Sequence, residues 1–133
     1  MSTASTEYPD NLRYTKDHEW ARVEGNRVTV GITKFAVEQL GDITQVELPR
    51  EGEAVTAGQV FGTVESVKAV SDLFSPLSGK VVQVNDPLRD SPETLNEDAY
   101  DEGWMIVVET SDTGDIDKLM SAGEYVEYLK EHE

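Results

Sequence analysis

The sequence contains no cysteine, only two histidines and no long apolar segment. Without cysteine the chain has no disulfide, no thiolate nucleophile and no thiolate metal site, and a reducing cytoplasm is its natural compartment. No stretch of about 18 consecutive apolar residues is present, so no helix is expected to span a membrane. The N-terminal residues lack both an apolar signal core and an arginine-rich pattern, so we predict a cytoplasmic chain without a targeting segment.

Basic residues are also scarce. The chain has 11 Lys and Arg against 27 Asp and Glu, which gives a formal net charge of −16. Nucleic acids and anionic membrane surfaces attract basic patches, so both are disfavoured as partners. The acidity can instead steer the protein towards basic partner surfaces, but it does not define a fold.

Residues that could form a catalytic or metal site are missing as well. His18 and His132 are too few and too far apart for a nucleophilic triad or a metal cluster. His18-Glu19 resembles the start of a zinc-binding His-Glu-x-x-His helix, but Arg22 occupies the position of the second histidine. We therefore predict no catalytic residue and no metal site, so any chemistry requires a reactive group added to the chain.

The apolar pattern predicts one mainly β domain. A chain of 133 residues has the size of a single domain, which we place at 12–133, after a polar and flexible segment at 1–11. Strand patterns cover 19–23 and 28–32, and the turn residues Glu24-Gly25-Asn26 join them into a hairpin. At least seven short strands followed by C-terminal helix favour an antiparallel sandwich or a partly open barrel.

Helices are predicted at four places. Thr33 caps a short helix through Leu40, and one helical turn follows Ser91, which caps it, with Pro92 as its first residue in an otherwise loop-like segment 86–103. In the C-terminal region Asp115 caps a helix at 116–120, and Ser121 and Glu124 have the spacing of a capping box. A nearly continuous apolar run at 104–109 separates these regions and predicts a buried strand.

A short internal repeat surrounds the centre of the chain. Residues 46–55 align with 73–82, so that Pro49 matches Pro76 and Gly52 matches Gly79. Two copies of a strand–turn–strand unit, packed against each other, are the expected structure.

Lys68 lies between the two copies. Val67 and Ala69 flank it, and their short side chains leave the lysine amine accessible. The residues alone allow two interpretations, a solvated lysine on a strand or a modified attachment point. The spacing of Phe61, Val64, Val67 and Val70 also fits a helix face, although Gly62 and the β-branched valines disfavour it.

Several segments together resemble the H-protein family of the glycine cleavage system, over about 12–130. The most specific is Glu65-Ser66-Val67-Lys68-Ala69, followed by Ser71-Asp72 and Ser75-Pro76-Leu77-Ser78-Gly79. Further matching segments are Tyr14-Thr15-Lys16-Asp17-His18-Glu19-Trp20, Val30-Gly31-Ile32-Thr33, Leu40-Gly41-Asp42-Ile43, Val46-Glu47-Leu48-Pro49 and Gly103-Trp104. The chain departs from the family pattern at Thr44-Gln45, Ala99 and Asp101.

The resemblance implies a fold and a cofactor site. The fold is two antiparallel sheets in a lipoyl/biotinyl-type sandwich (barrel-sandwich hybrid), with short helices and the modified lysine at a hairpin tip. Lipoic acid is attached covalently to Lys68 within a lipoylation motif of Glu65, Ser66, Val67 and Ala69. The remaining candidates, for docking the loaded arm through its ammonium group, are Glu19 and Asp72.

The resemblance also implies a function and partners. A lipoyl carrier, not itself an enzyme and expected as a monomer, passes the aminomethyl group of glycine between proteins. It receives the group from the pyridoxal-phosphate glycine decarboxylase (P protein) and delivers it to the tetrahydrofolate-dependent aminomethyltransferase (T protein). Dihydrolipoamide dehydrogenase (L protein) then reoxidises the dithiol, and lipoate-attaching enzymes modify the lysine in the first place.

Three alternatives remain open at the level of sequence. A relay that donates octanoyl or lipoyl groups to other lipoate-dependent complexes would use the same lysine. A biotin carrier is disfavoured, because such domains resemble Met-Lys-Met where this chain has Val67 and Ala69 around Lys68. An unmodified binding module that has kept the fold is the last alternative.

Overall fold

The computed structural model of the chain describes residues 11–100, 102–110 and 114–131. These residues contain nine short strands and five helices. The strands are β1 (Arg13–Tyr14), β2 (Glu19–Glu24), β3 (Arg27–Ile32), β4 (Ile43–Glu47), β5 (Ala54–Val55), β6 (Val60–Ser66), β7 (Val70–Phe74), β8 (Gly79–Val84) and β9 (Ile106–Glu109). The helices are α1 (Lys34–Leu40), α2 (Pro87–Asp90), α3 (Thr94–Glu97), α4 (Gly114–Asp117) and α5 (Ala122–Glu131).

The strands form two antiparallel sheets. Six strands form the larger sheet in the order β1-β2-β3-β9-β8-β5, and β4-β6-β7 form the smaller one. Apolar residues of both sheets, among them Val28, Val30, Val64, Leu73 and Ile106, share one buried core. The prediction of a mainly β fold with two antiparallel sheets is therefore confirmed.

The internal repeat corresponds to equivalent positions in the two sheets. In each copy the first strand, β4 or β7, pairs with β6 in the smaller sheet. The second strand, β5 or β8, lies in the larger sheet, where the two pair with each other. Pro49 and Pro76 lie where each copy passes between the sheets. As a result β6 is held on both sides, and the β6–β7 hairpin carries Lys68 at its turn.

The local signals at three helix ends are confirmed. The Thr33 hydroxyl accepts a hydrogen bond from the Ala36 amide at 3.3 Å, and α1 ends at Gly41. Ser121 and Glu124 form the predicted capping box at the start of α5. The Ser121 amide donates to the Glu124 carboxylate at 2.8 Å, and the Glu124 amide donates to the Ser121 hydroxyl at 3.2 Å.

The predictions for 86–103 and for Asp115 were wrong in detail. The first of these segments contains two one-turn helices instead of one. Helix α2 begins at Pro87, and α3 begins at Thr94 without a side-chain cap, so Ser91 and Pro92 do not start a helix. Burial of Leu88 and Leu95 against the core positions these turns. Asp115 lies inside α4, which begins one residue earlier, and is therefore not its cap.

A second apolar cluster joins the C-terminal helix to the larger sheet. Its buried members include Tyr14, Trp20 and Tyr125. The rings of Tyr14 and Tyr125 stack with centroids 4.9 Å apart and planes at 8°. None of the described helices is both long and apolar enough to cross a membrane. Of the predicted flexible segment 1–11, only Asn11 belongs to the described residues, so its flexibility stays a prediction.

Candidate functional site

The turn that carries Lys68 is closed by a serine hydroxyl. Ser66 ends β6, and its oxygen accepts hydrogen bonds from the amides of Lys68 at 3.3 Å and Ala69 at 3.1 Å. The Ser66 amide also donates to the Ala69 carbonyl at 2.8 Å. A side-chain oxygen thus replaces the Asn-Gly or Pro-Gly pair that usually marks a tight turn.

The side chains at this turn project into solvent. Val67 is 71% exposed and Val70 is 65% exposed. Lys68 is also exposed, and within the described residues it takes part in no ion pair. The lysine side chain is therefore accessible to solvent, as predicted.

Residues 41–43 support the turn from behind, and we call them the support segment. The Val67 amide donates to the Asp42 carbonyl at 3.2 Å. Gly41 has φ +80°, and a Cβ added there would lie 3.6 Å from Cε of Lys68. Glycine therefore permits this backbone conformation, and the lysine stem passes it at an ordinary contact distance.

Asn96 of α3 fixes the support segment with both ends of its amide. Its Nδ2 donates to the Gly41 carbonyl at 2.8 Å, and its Oδ1 accepts from the Ile43 amide at 2.9 Å. The position of the Lys68 turn thus depends on a residue of α3 that the sequence did not single out.

We expect Asn96→Ala to lower the free energy of unfolding by about 1–3 kcal/mol, because the Gly41 carbonyl and the Ile43 amide lose their partner. Urea denaturation measures this change. Asn26→Ala, in the exposed turn between β2 and β3, is the matched control and should change stability by less than about 0.5 kcal/mol. Equal effects of the two substitutions would contradict the role of Asn96.

Glu19, the first docking candidate, is a buried carboxyl at the start of β2. It is 1% exposed. Its oxygens accept hydrogen bonds from the Thr15 hydroxyl at 2.7 Å and the Phe74 amide at 3.1 Å. Both bonds favour the carboxylate, but burial outweighs them and raises the pKa of Glu19 to about 8. The group is therefore poised to exchange a proton near neutral pH.

Asp72, the second docking candidate, lies in β7, the strand that also contains Phe74. It pairs with Thr63 in the smaller sheet and is exposed. The Phe74 amide, which binds Glu19, is two residues further along β7. Both acids are thus linked to β7: Glu19 is buried and binds its backbone, whereas Asp72 belongs to the strand and is exposed.

His18 also belongs to this region, although no sequence motif assigned it a function. Its backbone has φ +69°, and its Nδ1 lies 2.8 Å from the hydroxyl of Tyr125. The same hydroxyl lies 2.9 Å from that of Thr33. The His18 ring packs against Phe35 with centroids 4.6 Å apart, and burial lowers the pKa of His18. These contacts fix the residue before Glu19, and no local pattern could reveal them because Tyr125 is 107 residues away.

Comparison with known proteins agrees with this geometry. The family model for the glycine cleavage H-protein matches residues 12–132. The chain belongs to the glycine cleavage H-protein family.

Individual members of the H-protein family match nearly the whole chain. The H protein of Anaeromyxobacter sp. (strain K) is 58% identical over 127 residues, covering 96% of this chain and 99% of that protein. The H protein of Brevibacillus brevis is 54% identical over 125 residues, covering 94% and 99%. A crystal structure of the H protein from Mycobacterium marinum matches with a TM-score of 0.85 and 43% identity, covering 92% of this chain and 98% of that one.

The site fits the lipoyl group that H proteins carry. Attachment through an amide requires an accessible primary amine, and Lys68 provides one at an exposed turn. The lysine stem passes beside Gly41 at the end of α1. A metal centre requires a group of three or more metal-binding side chains. No such group occurs in the part of the chain that the structure describes.

Proposed function

We propose that this chain is the lipoylated carrier of the glycine cleavage system, with lipoate attached to the Nζ atom of Lys68. The main support is the exposed position of this lysine at the β6–β7 turn of an H-protein fold. When bound, lipoate supplies a disulfide that takes up the aminomethyl group of glycine and later returns to the oxidised form. The protein contributes positioning and protection and is not itself an enzyme.

The motif residues around Lys68 have distinct tasks in this proposal. Ser66 closes the turn and points the lysine outward. Val67 and Ala69 are exposed and small, so they leave an attaching enzyme access to the amine. Glu65 pairs with Val70 across the hairpin and holds the register of the turn. Acylation removes the lysine charge, which allows the arm to lie against protein.

Glu19 is the proposed acceptor for the ammonium of the aminomethyl group. A cation beside this carboxyl would favour its charged form and lower its pKa from about 8. Docking would therefore release a proton from Glu19 and would strengthen as the pH rises through the neutral range. Asp72, which is exposed on β7, would add a second and more weakly held negative charge.

The proposal includes three enzyme partners and a location. The glycine decarboxylase, the aminomethyltransferase and dihydrolipoamide dehydrogenase would each meet a monomeric carrier in the cytoplasm, after lipoate-attaching enzymes have modified it. The formal net charge of −16 would steer the carrier towards basic surfaces on these proteins.

Glycine–carbon dioxide exchange tests the proposed function. We expect lipoylated protein, checked by intact mass, to support this exchange when mixed with glycine decarboxylase, while unmodified protein should not. Full modification without exchange would contradict the carrier role and would favour the lipoyl relay.

A further inference from the structure

A groove lies on the side of α1 that faces away from the His18 ring. Phe35 packs against the His18 ring, whereas Val37, two residues later and about 200° around the helix, lines the groove. The groove has a volume of about 250 Å³. The His18 ring and this groove therefore lie on opposite sides of the same helix.

The groove lies between α1, which contributes Lys34 and Val37, and the segment 95–100. Asn96 lines one end, where it binds the Gly41 carbonyl at 2.8 Å. Tyr100 lines the other end, where its hydroxyl accepts from the Lys34 amide at 2.8 Å.

The lining suits an uncharged, mostly apolar chain. Val37, Leu95 and Ala99 are buried apolar residues of its wall, and the half-buried Tyr100 closes one end. Lys34, Glu97 and Asp98 complete the wall with charges of both signs. Apolar surface placed there leaves water, which stabilises the bound state.

The stem of Lys68 reaches the same end of α1. Its Cε atom lies 3.6 Å from the point that a Cβ of Gly41 would occupy, and Asn96 joins Gly41 to the groove. An acyl chain on Lys68 thus starts beside Gly41, whose hydrogen-bond partner Asn96 lines the groove.

We propose that this groove is a resting site for the acyl arm of Lys68 when the arm carries no cation, as the oxidised dithiolane or as an octanoyl chain. The inference rests on the proposed attachment to Lys68. The loaded arm would instead gain a charge-assisted hydrogen bond at Glu19, which does not line the groove. The arm would therefore change its resting place with its cargo.

Amide chemical shifts of the lipoylated and unmodified protein test the groove directly. Intact mass first establishes that the arm is attached, so failure of attachment counts against the proposed function and not against the groove. With the oxidised arm in place, we expect the amides of Val37, Leu95, Asn96, Ala99 and Tyr100 to shift. Shifts confined to 66–70, or found at Glu19 and Phe74 instead, would overturn the inference.

A substitution in the groove wall gives a second measurement. Val37→Thr keeps the shape of the side chain but adds a hydroxyl, so the groove should hold the arm less well. We expect smaller groove shifts and a several-fold faster reduction of the disulfide by a water-soluble phosphine than in wild type. Val23→Thr, an exposed valine of β2, is the matched control. The same reduction rate in wild type, Val37→Thr and free lipoamide would overturn the inference, and spectra of the unmodified variant verify its fold.

Discussion

Lys68→Arg is expected to abolish lipoylation and, with it, all carrier activity. Arginine keeps the positive charge and the long stem, but its guanidinium stays protonated and does not provide the free amine that an acyl group needs. Intact mass should therefore show no lipoyl increment, and glycine–carbon dioxide exchange with the decarboxylase should fall to the background rate.

The fold should not be affected by this substitution. Lys68 is exposed and has no ion pair among the described residues, so the free energy of unfolding should change by less than about 0.5 kcal/mol. Lys80→Arg is the matched control, because Lys80 is an exposed lysine in β8. The Lys80 variant should keep the lipoyl mass, and lipoyl mass retained in the Lys68 variant would exclude Lys68 as the attachment site.

Glu19→Gln is expected to change how stability depends on pH. In the wild type the folded pKa is about 8, against an ordinary value of 4.5. Between these values the folded state binds more protons than the unfolded state, so stability falls as the pH rises. At about 1.4 kcal/mol per pH unit, the loss from pH 5 to pH 8 is up to about 4 kcal/mol.

The difference between wild type and variant isolates this carboxyl. Burial lowers the pKa of His18, so the free energy of unfolding of both proteins falls as the pH drops through its titration range. This contribution is the same in both proteins and cancels in the difference. Glu24→Gln, at the exposed end of the same strand, should leave the wild-type profile unchanged. Parallel profiles for wild type and Glu19→Gln would contradict the raised pKa.

The same variant tests the docking role of Glu19. Loss of one charge-assisted hydrogen bond should speed release of the aminomethyl group to water by about tenfold. In the wild type the release rate should fall as the pH rises, because Glu19 becomes charged, and in the variant this pH dependence should be absent. The lifetime of the loaded protein, followed by mass at several pH values, measures both effects. An unchanged lifetime would remove Glu19 from the docking site.

Local signals predicted much of the fold. The β2–β3 hairpin, the Thr33 cap and the capping box at Ser121 depend on neighbours a few residues apart, and each was confirmed. The apolar run before Thr110 was correctly read as a buried strand, which the structure places as β9 between β3 and β8.

Features that depend on distant residues could not be predicted in this way. Helices α2 and α3 are positioned by burial of Leu88 and Leu95 and not by Ser91 and Pro92. The raised pKa of Glu19 comes from burial in the tertiary structure. The resemblance to H proteins placed Lys68 at a hairpin tip, whereas the role of Asn96 has no signal in the sequence at all.

The support segment makes the shape of the attachment turn a property of the whole domain. The motif 65–69 is contiguous, but Asp42 and Asn96, which hold it in place, are distant in sequence. An attaching enzyme that recognises this shape should modify Asn96→Ala more slowly than Asn26→Ala, and equal rates would mean that it reads local sequence alone. Recognition of shape would restrict lipoate to molecules that have finished folding, so that every lipoylated molecule would be a correctly folded carrier.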